Sequence, residues 1–196
     1  LADAVADVVA GLSVSRPGDP VAGGEAADVL RGALGRHGLP EQIRHVVTLP
    51  AREARHADWP SEAPEALVGA FAGRGIERPW AHQVRAATVA GAGTHTVVAT
   101  GTASGKSLAY QLAAGIRLSG DPHATVLHLS PTKALAADQL LAWRALERDG
   151  ATWLRAAPYD GDTAPPDRIW AREHANVLMT NPDMLHQAIL PHHTKW

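Results

Sequence analysis

The chain has 196 residues, 45% of them apolar and 19% charged, a composition of folded domains rather than disordered chains. Lys and Arg number 18 against 20 for Asp and Glu, so no bulk electrostatic grip on nucleic acid is visible and any such contact must rest on a few local groups. There is no cysteine, which removes disulfides, thiolate zinc sites and cysteine nucleophiles together. No apolar run reaches the ~20 residues of a membrane span, and no signal-peptide pattern opens the chain. The expectation is a cytoplasmic protein of bacterial type with no membrane partner. The chain opens on Leu1 and closes on Trp196, and both ends read as cuts.

Leu1, Val5, Val8, Val9 and Leu12 recur at near-helical spacing and predict a helix over 1–12. The stretch 13–24, with Pro17, Gly18, Pro20, Gly23 and Gly24, predicts a loop. A second helix is predicted over 25–37, stopped by Gly38 and Pro40. Residues 45–64 are irregular, and a third helix opens at 61–65. This front part, 1–60, is predicted to be a small helical and irregular region.

From 61 onward the pattern becomes a domain of its own. Residues 81–90 predict an Ala-rich helix and 94–100 (T-H-T-V-V-A-T) a β-branched strand. Helix 105–118, strand 124–130, helix 133–148, strand 152–159, helix 165–173 and strand 176–180 follow, with a last helix from Pro182. Short apolar strands alternating with helices predict a parallel sheet with crossover helices, an α/β fold. In such sheets ligands sit outside the carboxyl ends of the strands. Every motif below falls there.

The segment Thr100-Gly101-Thr102-Ala103-Ser104-Gly105-Lys106-Ser107 lies between a predicted strand and a predicted helix. Small residues let backbone N–H groups converge on phosphate oxygens, and the helix dipole favours the same anion. Lys106 can reach the β- and γ-phosphates of ATP, which makes it the catalytic candidate. Ser107 can place its hydroxyl on Mg²⁺. The usual pattern has Gly where this chain has Thr100. Upstream, the Gln83 amide suits the paired edge of adenine, and Trp80 can stack on the base; each also reads as an ordinary helix or core residue. Downstream, Pro131-Thr132-Lys133 and Thr180-Asn181-Pro182-Asp183 each begin a helix after a strand. Each reads as a capped helix start or as a hold on a nucleic-acid phosphate. The histidines His186, His192 and His193 are read against metal binding.

As a set these segments resemble the first RecA-like motor domain of superfamily 2 helicases of the DEAD/DEAH-box kind. Gln83 falls at the Q motif, Thr100 to Ser107 at motif I, Pro131-Thr132-Lys133 at motif Ia and Thr180-Asn181-Pro182-Asp183 at motif Ib. The wording T-A-S-G-K-S, P-T-K-A-L-A-A-D-Q, Y-D-G-D-T and T-N-P-D-M-L-H looks most like the branch of mitomycin-repair factor A-type DNA helicases and their RecQ4-like relatives. The resemblance runs from about Arg78 to Trp196. It implies an incomplete RecA-like P-loop domain over 61–196, binding ATP with Mg²⁺ and single-stranded or partly duplex DNA, with RNA still open as the track. It implies 3′–5′ unwinding in DNA repair and places Tyr159-Asp160-Gly161-Asp162-Thr163 near the nucleic-acid track, where a plain turn is an equal reading.

ATP hydrolysis in these motors needs a D-E-x-H or D-E-A-D segment, and no Asp-Glu dipeptide occurs among the 196 residues. The second motor lobe, the arginine finger and the family's cysteine-rich zinc module are absent as well. The chain is therefore expected to bind nucleotide and strand without hydrolysing ATP efficiently, and to need the remainder of a longer protein. A non-catalytic nucleotide-binding remnant and a P-loop kinase remain as alternatives.

Overall fold

The computed structural model describes residues 23–36, 54–101 and 104–196. Two compact units divide between Ala54 and Arg55, ahead of the boundary at 60 read from the sequence. In the first, helix α1 (Gly23–Arg36) stands where a helix over 25–37 is expected, and it begins inside the Gly-rich stretch read as loop. The helix predicted over 1–12 lies outside the described residues, as does 37–53.

The second unit carries α2 (Glu65–Ala72), α3 (Ala81–Gly91), α4 (Lys106–Gly120), β1 (Val126–Leu129), α5 (Lys133–Arg148), β2 (Ala156–Pro158), α6 (Pro165–His174), β3 (Val177–Thr180) and the single turn α7 (Pro182–Met184). A π-helical turn, Leu185–Ile189, and a 3₁₀ stretch, Leu190–Lys195, close it. Helix α5 begins and ends where the sequence places it, because Thr132 caps its start and Gly150, at φ 128°, leaves the helical region just past its end.

The three strands are parallel, in the order β1-β3-β2. Val177 of β3 pairs in register with Val126 on one side and Ala156 on the other. All four residues of the central strand are buried, which explains its unbroken apolar run. Val177 and Met179 join Leu67, Phe71, Leu112, Trp143, Leu146 and Leu154 in the larger core. Leu178 points to the other face, where Ala157, Tyr159, Ala171 and Ile189 form a smaller one. Asn176 pins the amino ends of β2 and β3 together. Its Oδ1 accepts from Arg155 N at 2.8 Å and its Nδ2 donates to Trp153 O at 2.7 Å. Helix α4 reaches α2 through Gly115, where a Cβ would come within 2.6 Å of Leu67 Cδ2.

The strand predicted over 94–100 is not formed: the segment belongs to no ladder, and Val97 is 92% exposed. A cleft of about 560 Å³, lined by Val98, Ser107, Tyr110 and the residues of β1, lies on one side of it. A second cleft of about 400 Å³, lined by His82, Arg85, Val89 and Val98, lies on the other. The β-branched residues carry a strand preference, but a strand exists only through a neighbour's hydrogen bonds. Among the described residues, none pairs with 94–100 in a ladder.

Candidate nucleotide and nucleic-acid site

The loop after 94–100 leads into α4 through Gly105, whose φ of 68° and ψ of 30° are left-handed. Glycine alone fits there on two counts. The backbone region disfavours a Cβ, and that Cβ would meet Gln83 Nε2 at 2.5 Å. Gln83 is 3% exposed and ties two segments together. Its Oε1 accepts from Trp80 N at 2.8 Å, as in the returning half of a capping box, and its Nε2 donates to Gly105 O at 2.8 Å. One lone pair and one N–H of the amide are thus already spent on protein. The reading of adenine expected of Gln83 would have to use the others, from a buried position. What the structure shows Gln83 doing is tying the start of α3 to Gly105 at the start of α4. His82 adds a second tie, its Nε2 lying 3.1 Å from Ser104 O.

Trp80 is 43% exposed, with its ring centroid 5.1 Å from that of His56. It is not a core anchor, and its part-exposed ring is flanked by those of His56 and His82. Lys106 turns its ammonium into the loop and donates to Gly101 O at 2.6 Å and Thr100 O at 3.1 Å. The Thr100 and Ser104 hydroxyls bond each other at 2.6 Å. Thr102 and Ala103 lie outside the described residues. Thr100, Gly101, Ser104, Gly105, Lys106 and Ser107 are all brought to the amino end of α4, as expected.

Ser107 is half-buried, and Tyr110 stands one turn on, on the same helix face. Burial pushes the Tyr110 phenol up, opposed by a hydrogen bond with Ser107. The Tyr110 hydroxyl donates to Gln139 Oε1 on α5, which links the phosphate-loop helix to the helix that opens with Lys133. The sequence reading missed this link. The three-residue step from Ser107 to Tyr110 is its only sequence signal; nothing in the sequence points to Gln139.

Pro131, Thr132 and Lys133 are exposed at the carboxyl end of β1. Thr132 Oγ1 accepts from Leu135 N at 3.3 Å, and Lys133 Nζ donates to Asp162 Oδ2 at 2.5 Å. At the end of β3, Asn181 caps the next turn by accepting from Met184 N at 2.9 Å, and Pro182 and Asp183 are exposed. Thr180 is different. It is 1% exposed, and its hydroxyl donates to Tyr159 O at 2.6 Å. From there its side chain faces protein and ties β3 to β2 instead of facing a strand of nucleic acid. Among the described residues no group of three or more His, Asp or Glu could hold a metal ion. No described helix is long and apolar enough to cross a membrane.

The comparisons with known proteins agree with this geometry. The family model for the DEAD/DEAH box helicase matches residues 80–196. The ATP-dependent helicase HRQ1 of Saccharomyces cerevisiae is 40% identical over 158 residues, covering 79% of this chain and 14% of that protein. The ATP-dependent helicase YprA of Bacillus subtilis is 40% identical over 145 residues, covering 74% of this chain and 19% of that protein. A crystal structure of the DUF1998 helicase MrfA bound to DNA and AMPPNP superposes with a TM-score of 0.72 at 39% identity, over 76% of this chain and 21% of that one. The chain thus spans about a seventh to a fifth of the length of these relatives. A family model matched over more than half the residues, on a chain with a glycine-hinged start to α4 and capped helix starts after β1 and β3, identifies the chain as a member of the DEAD/DEAH box helicase family.

Proposed function

We propose that this chain forms the nucleotide-gripping and strand-gripping front of a longer ATP-dependent DNA helicase that acts in DNA repair. The observation that carries the reading is a shared cleft, in which Lys106 and Ser107 stand with Leu129 and Ser130 at the carboxyl end of β1 and Leu135 on the first turn of α5. Lys106 and Ser107 begin α4, and Lys133 and Asn181 follow β1 and β3 at their carboxyl ends. In this reading Lys106 leaves the carbonyls of Thr100 and Gly101 for the β- and γ-phosphates of ATP, and the amides at the start of α4 hold the same oxygens. Trp80 offers its part-exposed ring to the base. The Ser107 hydroxyl, half-buried beside Lys106, fits a Mg²⁺ that arrives with the nucleotide. That ion would supply charge neutralisation between the β- and γ-phosphates. Pro131, Thr132, Lys133, Asn181, Pro182 and Asp183 line the path of the strand, and Thr180 supports it from beneath. DNA rather than RNA is supported by the relative solved with DNA. Work on DNA supports a place in the compartment that holds the DNA, the cytoplasm in a cell of bacterial type.

Hydrolysis belongs to residues outside the 196, since no Asp-Glu pair occurs here to position water. The test is ATP turnover by the full-length protein with and without single-stranded DNA, beside the Lys106→Ala variant. Turnover should rise with DNA and fall by at least about a hundredfold in the variant, as expected for loss of a charged partner of the transferred phosphate. Turnover indifferent to DNA, or a Lys106→Ala protein as active as the parent, would overturn the proposal.

A further inference from the structure

The two aspartates of Tyr159-Asp160-Gly161-Asp162-Thr163 have separate employments. Asp160 builds the turn: its Oδ1 accepts from Asp162 N at 2.9 Å, Thr163 N at 3.0 Å and Thr163 Oγ1 at 3.1 Å. Arg168 holds the same turn from α6, donating to Asp160 O at 2.7 Å and Gly161 O at 3.1 Å. The turn therefore has a fixed shape, and that shape carries the Asp162 carboxylate to Lys133, across the end of β3. The two side chains are 76% and 55% exposed. A pair so open to water adds little to the fold, yet a well-secured turn maintains it.

A secured turn that serves a weak ion pair makes sense if the pair is meant to open. Lys133 sits at the amino end of α5, where the first-turn N–H groups have no intrahelical acceptor and favour an anion. Asp162 is an anion of the right charge at that place, and its hydrogen bond raises the pKa of Lys133, with smaller contributions from the charges of Asp162 and Asp160. We propose that Asp162 is a displaceable counter-anion: it occupies the ammonium of Lys133 until a phosphate of the nucleic-acid strand takes its place, and reclaims it when the strand moves on. The proposal rests on the reading of Lys133 as a strand contact. It deepens that reading by assigning to Asp162 the task of keeping the grip weak enough to release.

The experiment is a titration of a fluorescent oligo-dT with the full-length protein, over a range of salt concentrations, for the parent, Asp162→Asn, Lys133→Gln and the double variant. Asp167→Asn, on the exposed first turn of α6, controls for the loss of any nearby negative charge. Asp162→Asn should tighten binding by roughly two- to fivefold at low salt, with the gain fading as salt rises. Lys133→Gln should weaken binding and lower the salt slope by about one. In the Lys133→Gln background the gain from Asp162→Asn should fall to the level of the Asp167→Asn control. Two results would overturn the counter-anion while leaving Lys133 as a strand contact: no gain in Asp162→Asn, or an equal gain in both backgrounds. An unchanged affinity and slope in Lys133→Gln would instead remove the strand contact itself, and the counter-anion with it.

Discussion

The phosphate-loop half, Trp80 to Gly120, and the sheet half, Val126 to Thr180, hold their functional residues in place by different means. In the first half, single side chains do the holding. Gln83 reaches from α3 to Gly105, His82 to Ser104, and Lys106 back onto the carbonyls of Thr100 and Gly101. In the second half the backbone does it, through parallel ladders that run on past the strand ends: Ser130 N donates to Thr180 O, and Tyr159 N to Met179 O. A loop held by side chains can let go and re-form around a ligand. A loop leaving a ladder keeps its position whether or not a ligand is there. On this contrast the half around α4 is expected to be the adaptable one and the sheet half the stable reference.

This contrast can be broken by substitution. The largest effect is expected from Asn176→Ala in the sheet half, which leaves Arg155 N and Trp153 O without their buried partner. It should cost about 2–4 kcal/mol in denaturant unfolding while nucleotide affinity per folded molecule stays at the parent level. A selective loss of nucleotide affinity without loss of stability would put the two halves on the same footing. Gln83→Ala should show the reverse balance. ATP affinity should fall about tenfold, roughly 1.4 kcal/mol, with the sheet unaffected, as read by amide exchange at Val177 to Thr180. Parent-level affinity would show that the loop does not depend on this tie. The smallest effect concerns His128 of β1, whose pKa burial holds below its ordinary value of 6.5. The unfolded chain then takes the proton first, so stability present above pH 6.5 is lost as pH falls from there toward the folded value. The slope of melting temperature against pH in that range should flatten in His128→Gln. An identical slope in both proteins would mean that the imidazole is solvated in the fold.

What the sequence revealed of all this follows from the range of each interaction. Thr132 and Asn181 as caps, Gly105 before a helix, and the full span of α5 are legible because each depends on residues within one turn. The family was legible because several such local segments occur together. The sheet was read as four strands because Thr94 to Thr100 has the right residues; three formed, since pairing depends on a neighbour that local composition does not report. The tie from Gln83 to Gly105 and the pair Lys133–Asp162 were not legible for the same reason. They join residues 22 and 29 positions apart, and only the fold brings them together. Thr180 was read with Asn181 to Asp183 as a hold on nucleic acid, but it is the last residue of a central strand buried on both faces, and its hydroxyl is spent on Tyr159 O.

The common direction of the three strands has a mechanical consequence. A strand of nucleic acid drawn across Lys133 and Asn181 would pull on the carboxyl ends of β1 and β3. The component of that pull along one strand's axis would load all the rungs of its ladder together. Those rungs would then share the load in shear instead of parting one after another like a zip. Because β3 lies between β1 and β2, a tug on either outer strand would reach the other through the three residues both ladders share, Val177 to Met179. The sheet would act as a stiff lever that moves its gripping loops together.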